Sequence, residues 1–276
     1  MPELPEIETI RRGLAPRLIG RRITAVTVRR GDLRRPLARD FARRLAGRAV
    51  IEVARRAKYL LIGLDSGETL IAHLGMSGRL YLRPGGTCAA QRHEHVVFAI
   101  DDGSEVVFND ARRFGLFDLA PSRALARHPL LRHLGPDPLG PDFDAEVLSA
   151  ALCGRRAPIK ALLLDQRLVA GIGNIYACES LYRAGISPRR SGAGVAGVRA
   201  ARLASAIGTV LEEAIAAGGS SLRDYVQANG ELGYFQHNFS VYDRAGEACP
   251  RAARGHIVRR IVQGNRSTFY CPRCQR

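Results

Sequence analysis

Apolar residues recur at Ile7, Ile10, Leu14 and Leu18, and steps of three and four predict an amphipathic helix over residues 3–18. Pro2 precedes it, acids fill its first turn, and Arg11, Arg12 and Arg17 follow, which suits the helix dipole. From Ile23 to Leu119 the pattern shortens to alternating runs: 23–28, 50–53, 59–64, 69–74, 78–82, 95–100 and 105–108. Turn residues such as Asp65-Ser66-Gly67 and Asp101-Asp102-Gly103 separate them, so this stretch reads as a β-sandwich or barrel. Residues 134–143 hold three prolines and two glycines and read as a linker. Helical spacing returns at 144–152, 158–164, 175–184 and 198–217. The Gly218-Gly219-Ser220-Ser221 stretch ends the last of these and can cap a short helix after it. Residues 241–276 have β-hairpin character. The expected class is α+β, in three parts: 1–134 (helix plus β-sandwich), 135–240 (helical) and 241–276 (hairpin).

Composition narrows the partners. The 276 residues carry a formal charge of +16, which calls for a polyanion, most simply nucleic acid. No basic amphipathic anchor points to acidic lipid instead, and no apolar run approaches the length of a membrane span. At 46% hydrophobic residues the chain can build a core and is not a disordered segment. Glu3, Glu6 and Glu8 stand where a signal peptide would be basic, so the expected location is cytoplasmic. Of the 42 basic side chains only Lys58 and Lys160 are lysines. A GC-rich genome accounts for much of that arginine excess but not for the net charge. Arginine can hold phosphate, yet it does not titrate near neutrality, which singles out the two lysines.

Six cysteines divide into two groups. Cys88, Cys153 and Cys178 are isolated among small or apolar residues and read as reduced packing residues. Cys249, Cys271 and Cys274 cluster near the C-terminus, a spacing that suits a metal site better than a disulfide framework.

Five segments, taken together, carry a resemblance. They are Met1-Pro2-Glu3-Leu4-Pro5-Glu6, His73-Leu74-Gly75-Met76-Ser77-Gly78, Asp110-Ala111-Arg112-Arg113-Phe114-Gly115, Gly171-Ile172-Gly173-Asn174 and Gln263 through Gln275. In this order they resemble the formamidopyrimidine-DNA glycosylases, bacterial base-excision repair enzymes. The resemblance implies a helix-two-turn-helix element in the helical part, a zinc-finger-like terminal hairpin, and DNA lying between the two halves.

It also implies roles. By itself Pro2 is a favoured residue at a helix start. Removal of Met1 would make it a secondary amine with a pKa near roughly 8, a nucleophile for the sugar C1′. Glu3 would be the general acid/base, with Glu6 orienting the amine or simply capping. Lys58 would hold phosphate and assist elimination, and Arg266 would grip the phosphates flanking the lesion. Lys160 and Asn174 would contact the backbone near the damaged base, with Asp165 bracing the turn by capping. Flipping a base out of a duplex leaves a hole. Met76 and Phe114 could wedge it while Arg112 bonds the orphaned base; the plain alternative for Met76 and Phe114 is core packing. His73 and Arg113 would be phosphate or scaffold contacts. Arg223 stands where the family would lead one to expect lysine in the loop that closes over the everted base. Tyr225, Tyr234 and Phe235 could stack on a base or anchor that loop.

The metal site departs from the family, which carries two CxxC knuckles on structural zinc. The second is intact, Cys271-Pro272-Arg273-Cys274, but the first reads Cys249-Pro250-Arg251-Ala252-Ala253. Three arrangements stay open: a Cys₃His site that takes in His256, zinc held by three thiolates, or a hairpin without zinc.

The implied function is excision of oxidised purines (8-oxoguanine, formamidopyrimidines) through an N-terminal proline Schiff base, with β,δ-elimination. The expected partner is damaged double-stranded DNA, with no membrane, bound by a monomer in the nucleoid. An endonuclease VIII-like enzyme for oxidised pyrimidines and a catalytically silent zinc-finger DNA-binding protein are the alternatives. The Met1–Leu4 start and the Met76, Arg112 and Phe114 set favour the purine enzyme.

Overall fold

The computed structural model describes residues 2–86, 90–221, 227–228, 230–251 and 255–276. The chain packs as two compact units, one of residues 1–132 with 217–236, the other of 133–216 with 237–276. The stretch 217–236, grouped in the sequence with the helical part, thus returns to the first unit.

The first unit opens with α1 (Leu4–Leu18), whose buried stripe is the expected one, Ile7, Ile10, Leu14 and Leu18. Two four-stranded antiparallel sheets follow. One has the order β1-β6-β7-β5 (Ile23–Val28, Glu94–Ile100, Ser104–Asn109, Arg79–Pro84). The other runs β2-β3-β4-β8 (Val50–Arg56, Tyr59–Leu64, Glu68–His73, Leu116–Pro121). Their inner faces and the α1 stripe share one core, including Leu60, Ile62, Leu80, Val96 and Phe108. Phe41, on the short helix α2 (Phe41–Leu45), meets Phe98 edge-to-face and Phe117 at a tilt, and Phe117 in turn meets Phe98 and Phe108 edge-to-face. The periodicity did not signal α2, which is five residues long, or β8, whose buried and exposed positions do not alternate.

The second unit holds α3 (Ala145–Leu152), α4 (Ile159–Leu164), α5 (Asn174–Arg183) and α6 (Val198–Ala216). Asp144 caps α3 by accepting the Val147 N–H at 2.8 Å. Helix α5 is buried from Ile175 to Tyr182, the middle of this unit. Strands β9 (Arg259–Gln263) and β10 (Arg266–Tyr270) pair antiparallel around Gly264-Asn265, both with positive φ, at 54° and 59°. Gly-Asn at such a two-residue hairpin turn is the chemistry the turn requires. Cys178 is buried as expected, whereas Cys153 is exposed at the end of α3 and is not a packing residue. Cys88 and any short helix after Ser221 lie outside the described residues. Among the described residues no helix is long and apolar enough to cross a membrane.

A charged cluster ties α1 to the sheet. Glu8 accepts from Arg11 at 2.7 Å, Arg12 at 2.9 Å and Arg55 of β2 at 3.2 Å. Burial opposes the Glu8 charge, but the three guanidiniums outweigh it and lower its pKa from 4.5 to about 2. The ionised form therefore contributes stability above the unfolded value, and that contribution fades as pH falls through 4.5 toward 2. Glu8→Gln should lower the urea-unfolding free energy by about 1–3 kcal/mol at pH 7. The difference from wild type should shrink at pH 3; a constant difference would refute the assignment.

Candidate functional site

The start of α1 is buried, Pro2, Glu3 and Glu6 included. Glu6 Oε2 accepts the Glu3 N–H at 2.8 Å, satisfying one of the open donors at the helix start. Glu6 Oε1 accepts the Ser220 N–H at 2.8 Å, so the same carboxylate anchors the head of the returning segment 217–236.

Lys58 sits in the tight turn between β2 and β3, where Arg56 pairs with Tyr59. It is buried, and its neighbour Ala57 adopts φ 53°, a left-handed conformation costly to a residue with a Cβ. Arg55 supports the turn by donating to the Ala57 carbonyl at 3.1 Å and links it to Glu8 of α1. His73 follows on β4, its ring 5.0 Å from that of Tyr59. Burial, then the positive charges of Lys58 and Arg34, push the His73 pKa down to about 4. Its Nδ1 accepts the Gly75 N–H at 3.0 Å, which places the proton of the neutral ring on Nε2. At neutral pH His73 therefore offers an N–H donor and no charge.

Met76 and Phe114 are 41% and 42% exposed, so neither packs in the core. They stand on two neighbouring loops of the first unit. Gly75 lies so close to the second loop that a Cβ on it would fall 2.3 Å from the Phe114 carbonyl carbon, and its φ is +65°. Arg112 stacks its guanidinium 4.7 Å from the Phe114 ring centroid. Arg113, at φ 56°, turns back to Asp32 at 2.5 Å.

Four further expected residues, Lys160, Asp165, Asn174 and Arg266, fall in the second unit. Lys160, expected at a phosphate, is 1% exposed, and its Nζ donates to the Ser267 carbonyl at 2.9 Å and the Thr268 hydroxyl at 2.7 Å. Asn174 donates from Nδ2 to the same Ser267 carbonyl at 3.0 Å. Both therefore hold the strand that begins at Arg266, whose side chain is exposed beside the Gly264-Asn265 turn. Asp165 is occupied by Arg167 at 2.8 Å. The brace of the Gly171–Gly173 turn is Gln166, which accepts from Gly171 N–H at 2.9 Å and donates to the Ile172 carbonyl at 2.9 Å. Glu179 was also missed. Its buried carboxylate accepts the N–H groups of Ser240, Val241 and Tyr242 at 2.8–2.9 Å and fixes the approach to the hairpin. A polar residue inside a helical apolar run was the available signal. Phe235 is buried and anchors its segment, while Tyr234 is exposed. Arg223 and Tyr225 lie outside the described residues.

The sulfurs of Cys249, Cys271 and Cys274 lie within 4.8 Å of one another. The 3.7 Å between Cys249 and Cys274 is close to the edge of a tetrahedron with Zn–S bonds of about 2.3 Å. These donors fit zinc. His256 Nδ1 is 3.8 Å from the Cys274 sulfur, and the His256 carbonyl accepts the Cys249 N–H at 2.8 Å. The ring does not belong to the mutually close set of three thiols.

Comparison with known proteins gives one answer along the whole chain. The profile described as "Formamidopyrimidine-DNA glycosylase N-terminal domain" matches residues 1–117. The one described as "Formamidopyrimidine-DNA glycosylase H2TH domain" matches 134–226, and "Zinc finger found in FPG and IleRS" matches 246–276. A formamidopyrimidine-DNA glycosylase of Dinoroseobacter shibae is 54% identical over 284 residues, covering all of both chains. The crystal structure of the MutM (FPG) protein from Thermus thermophilus is 40% identical, with TM-score 0.87 over 99% of this chain and 98% of that one. The wild-type Lactococcus lactis FPG (MutM), solved in a complex with an oxidized-pyrimidine-containing DNA, is 32% identical, with TM-score 0.90 over all of both chains.

The His73 geometry can be checked directly. In an NMR pH titration its ring should change protonation with a midpoint near 4, leaving it neutral from pH 6 upward. A midpoint above 6 would contradict the buried, cation-facing environment.

Proposed function

The chain belongs to the formamidopyrimidine-DNA glycosylase family, and on that premise we propose that it is a bifunctional DNA glycosylase and abasic-site lyase of base excision repair. Its substrate is damaged double-stranded DNA, with 8-oxoguanine and formamidopyrimidines the lesions removed. The observation that carries this reading is the buried start of α1, where Glu6 holds the backbone beside Pro2 and Glu3.

The proposed chemistry begins with Met1 removed, so that Pro2 is a secondary amine. Its nitrogen attacks C1′; the bond from C1′ to the base breaks, and the base leaves with the electron pair and takes up a proton. Glu3, adjacent in sequence, delivers a proton to the ring oxygen as the sugar opens. The resulting iminium is an electron sink that acidifies the C2′ proton. Loss of that proton expels the 3′ phosphate, and a second elimination expels the 5′ phosphate. Lys58, fixed at its strained turn, holds phosphate and assists the eliminations. Neutral His73, whose Nδ1 accepts the Gly75 N–H, would present its Nε2–H as a donor in the same region. Met76 and Phe114 fill the hole left by the everted base, and Arg112 bonds the orphaned one. Arg266 grips backbone phosphate. Lys160 and Asn174 are read as acting through the hairpin that carries Arg266, given their shared bond to Ser267. Zinc would be held by Cys249, Cys271 and Cys274, with His256 the proposed fourth ligand, supported by its approach to Cys274. The metal's contribution is structural, holding the hairpin. A bacterial cytoplasmic, nucleoid-associated location follows from the substrate.

A second substrate class has specific support: the Lactococcus lactis relative is seen with oxidized-pyrimidine-containing DNA. Oxidised pyrimidines are accordingly the next lesions to assay.

Borohydride reduction on an 8-oxoguanine duplex should trap a covalent adduct on the N-terminal proline. Pro2→Gly should abolish or strongly weaken trapping while DNA binding survives. Unchanged turnover in that variant would move the nucleophile elsewhere. For the metal, the purified protein should contain one zinc per chain. His256→Ala should lower zinc retention against a chelator and alter the absorption bands of the cobalt-substituted protein. Identical spectra would remove His256 from the ligand set.

A further inference from the structure

The loops that carry Met76 and Phe114 are joined by two residues absent from every role given so far. The Asp110 carboxylate is fully buried. Its Oδ1 accepts the Ser77 hydroxyl at 2.5 Å and the Arg112 N–H at 3.2 Å, and its Oδ2 accepts the Gly115 N–H at 2.8 Å. The Ser77 hydroxyl oxygen also accepts the Arg112 N–H at 3.2 Å. One carboxylate thus brackets Arg112, Arg113 and Phe114 from both ends and reaches across to the residue after Met76. The Asp110 backbone is fixed as well: its N–H donates to the His93 carbonyl at 3.0 Å, and its carbonyl lies 2.8 Å from His95 Nε2.

A buried carboxylate left without donors is costly, so the groups that satisfy it are held firmly in place. The loops are also in contact at Gly75, where no side chain could be accommodated against Phe114. The bracketed loop meanwhile keeps Arg113 in the left-handed region at φ 56°, a conformation that persists only where its surroundings impose it.

We propose that Asp110 and Ser77 are positioning residues that lock the two loops into a single preassembled wedge, so that Met76, Arg112 and Phe114 enter the duplex as one body. The proposal rests on the glycosylase reading above. Inserting a wedge already ordered avoids the entropy loss of arranging two loose loops against DNA. Asp110 and Ser77 contact neither the sugar nor the base on this view; they act through the three side chains they hold.

The test compares borohydride trapping on abasic DNA in duplex and in single-stranded form, because only the duplex must be wedged open. Ser77→Ala removes the cross-loop bond, and Asp110→Asn leaves one acceptor oxygen where there were two. In both variants the ratio of duplex to single-strand trapping rates should fall at least about tenfold relative to wild type. A variant that is only partly folded lowers both rates together and leaves the ratio unchanged, so the ratio reports positioning. Ser77→Thr, which restores the hydroxyl, should recover most of the loss. A wild-type ratio in Ser77→Ala and Asp110→Asn, with wild-type trapping intact, would overturn the clamp alone. Absence of trapping by the wild-type protein on either DNA would overturn the glycosylase reading and the clamp with it.

Discussion

Glu6 is the constraint on which the first unit turns. A carboxylate buried at the start of a helix must find donors for both oxygens. Glu6 finds them in Glu3, one turn away, and in Ser220, 214 residues along the chain. The first bond stops the terminus from fraying and so holds Pro2 and Glu3 in place. The second brings segment 217–236 back onto α1. The return is completed where Ala228 accepts the Leu82 N–H at 2.8 Å and lies against Gly13, whose missing side chain leaves room for it. Proposed nucleophile and returning segment are thereby coupled through one side chain.

The same economy recurs in both units. Buried carboxylates and one buried ammonium act as brackets for loops that no regular element holds. Glu8 and Arg55 join α1 to the turn of Lys58; Asp110 and Ser77 join the two exposed loops. In the second unit Glu179 holds the approach to the hairpin, and Lys160 and Asn174 hold Ser267 beside Arg266. Among the five described non-glycine residues with positive φ, Ala57 and Arg113 each adjoin a residue assigned to DNA. A rigid sandwich with satisfied polar brackets can sustain that strain; an open loop could not.

Charge operates on two scales. The arginine excess sets a general attraction for a polyanion that salt would weaken. The lysines are both buried: Lys58 lies in the β2–β3 turn, and Lys160 of α4 bonds Ser267 and Thr268 of β10. Three thiolates with an imidazole would carry one negative charge fewer than four thiolates on the same zinc. That leaves the arginine-rich hairpin more positive than a four-cysteine finger would.

Much of the architecture was legible from the order of residues. Helix α1, strands 23–28 and 59–64, α6 and the hairpin show in their periods and turn residues, since period and turn chemistry are local properties. The candidate residues were legible in two ways: Pro2, Glu3, Met76 and Phe114 stand in recognisable segments, and Lys58 is one of only two lysines. Helix α2 was not, being too short to carry a period, nor was β8, whose buried positions do not alternate. Nor could the sequence separate Met76 and Phe114 as core residues from exposed ones, because an apolar side chain reads alike in both settings. Asp110 with Ser77, Glu6 with Ser220, and Lys160 with Ser267 are pairings between residues far apart in the chain. Such partners are chosen by where the packed backbone leaves a buried charge, and only the tertiary structure decides that.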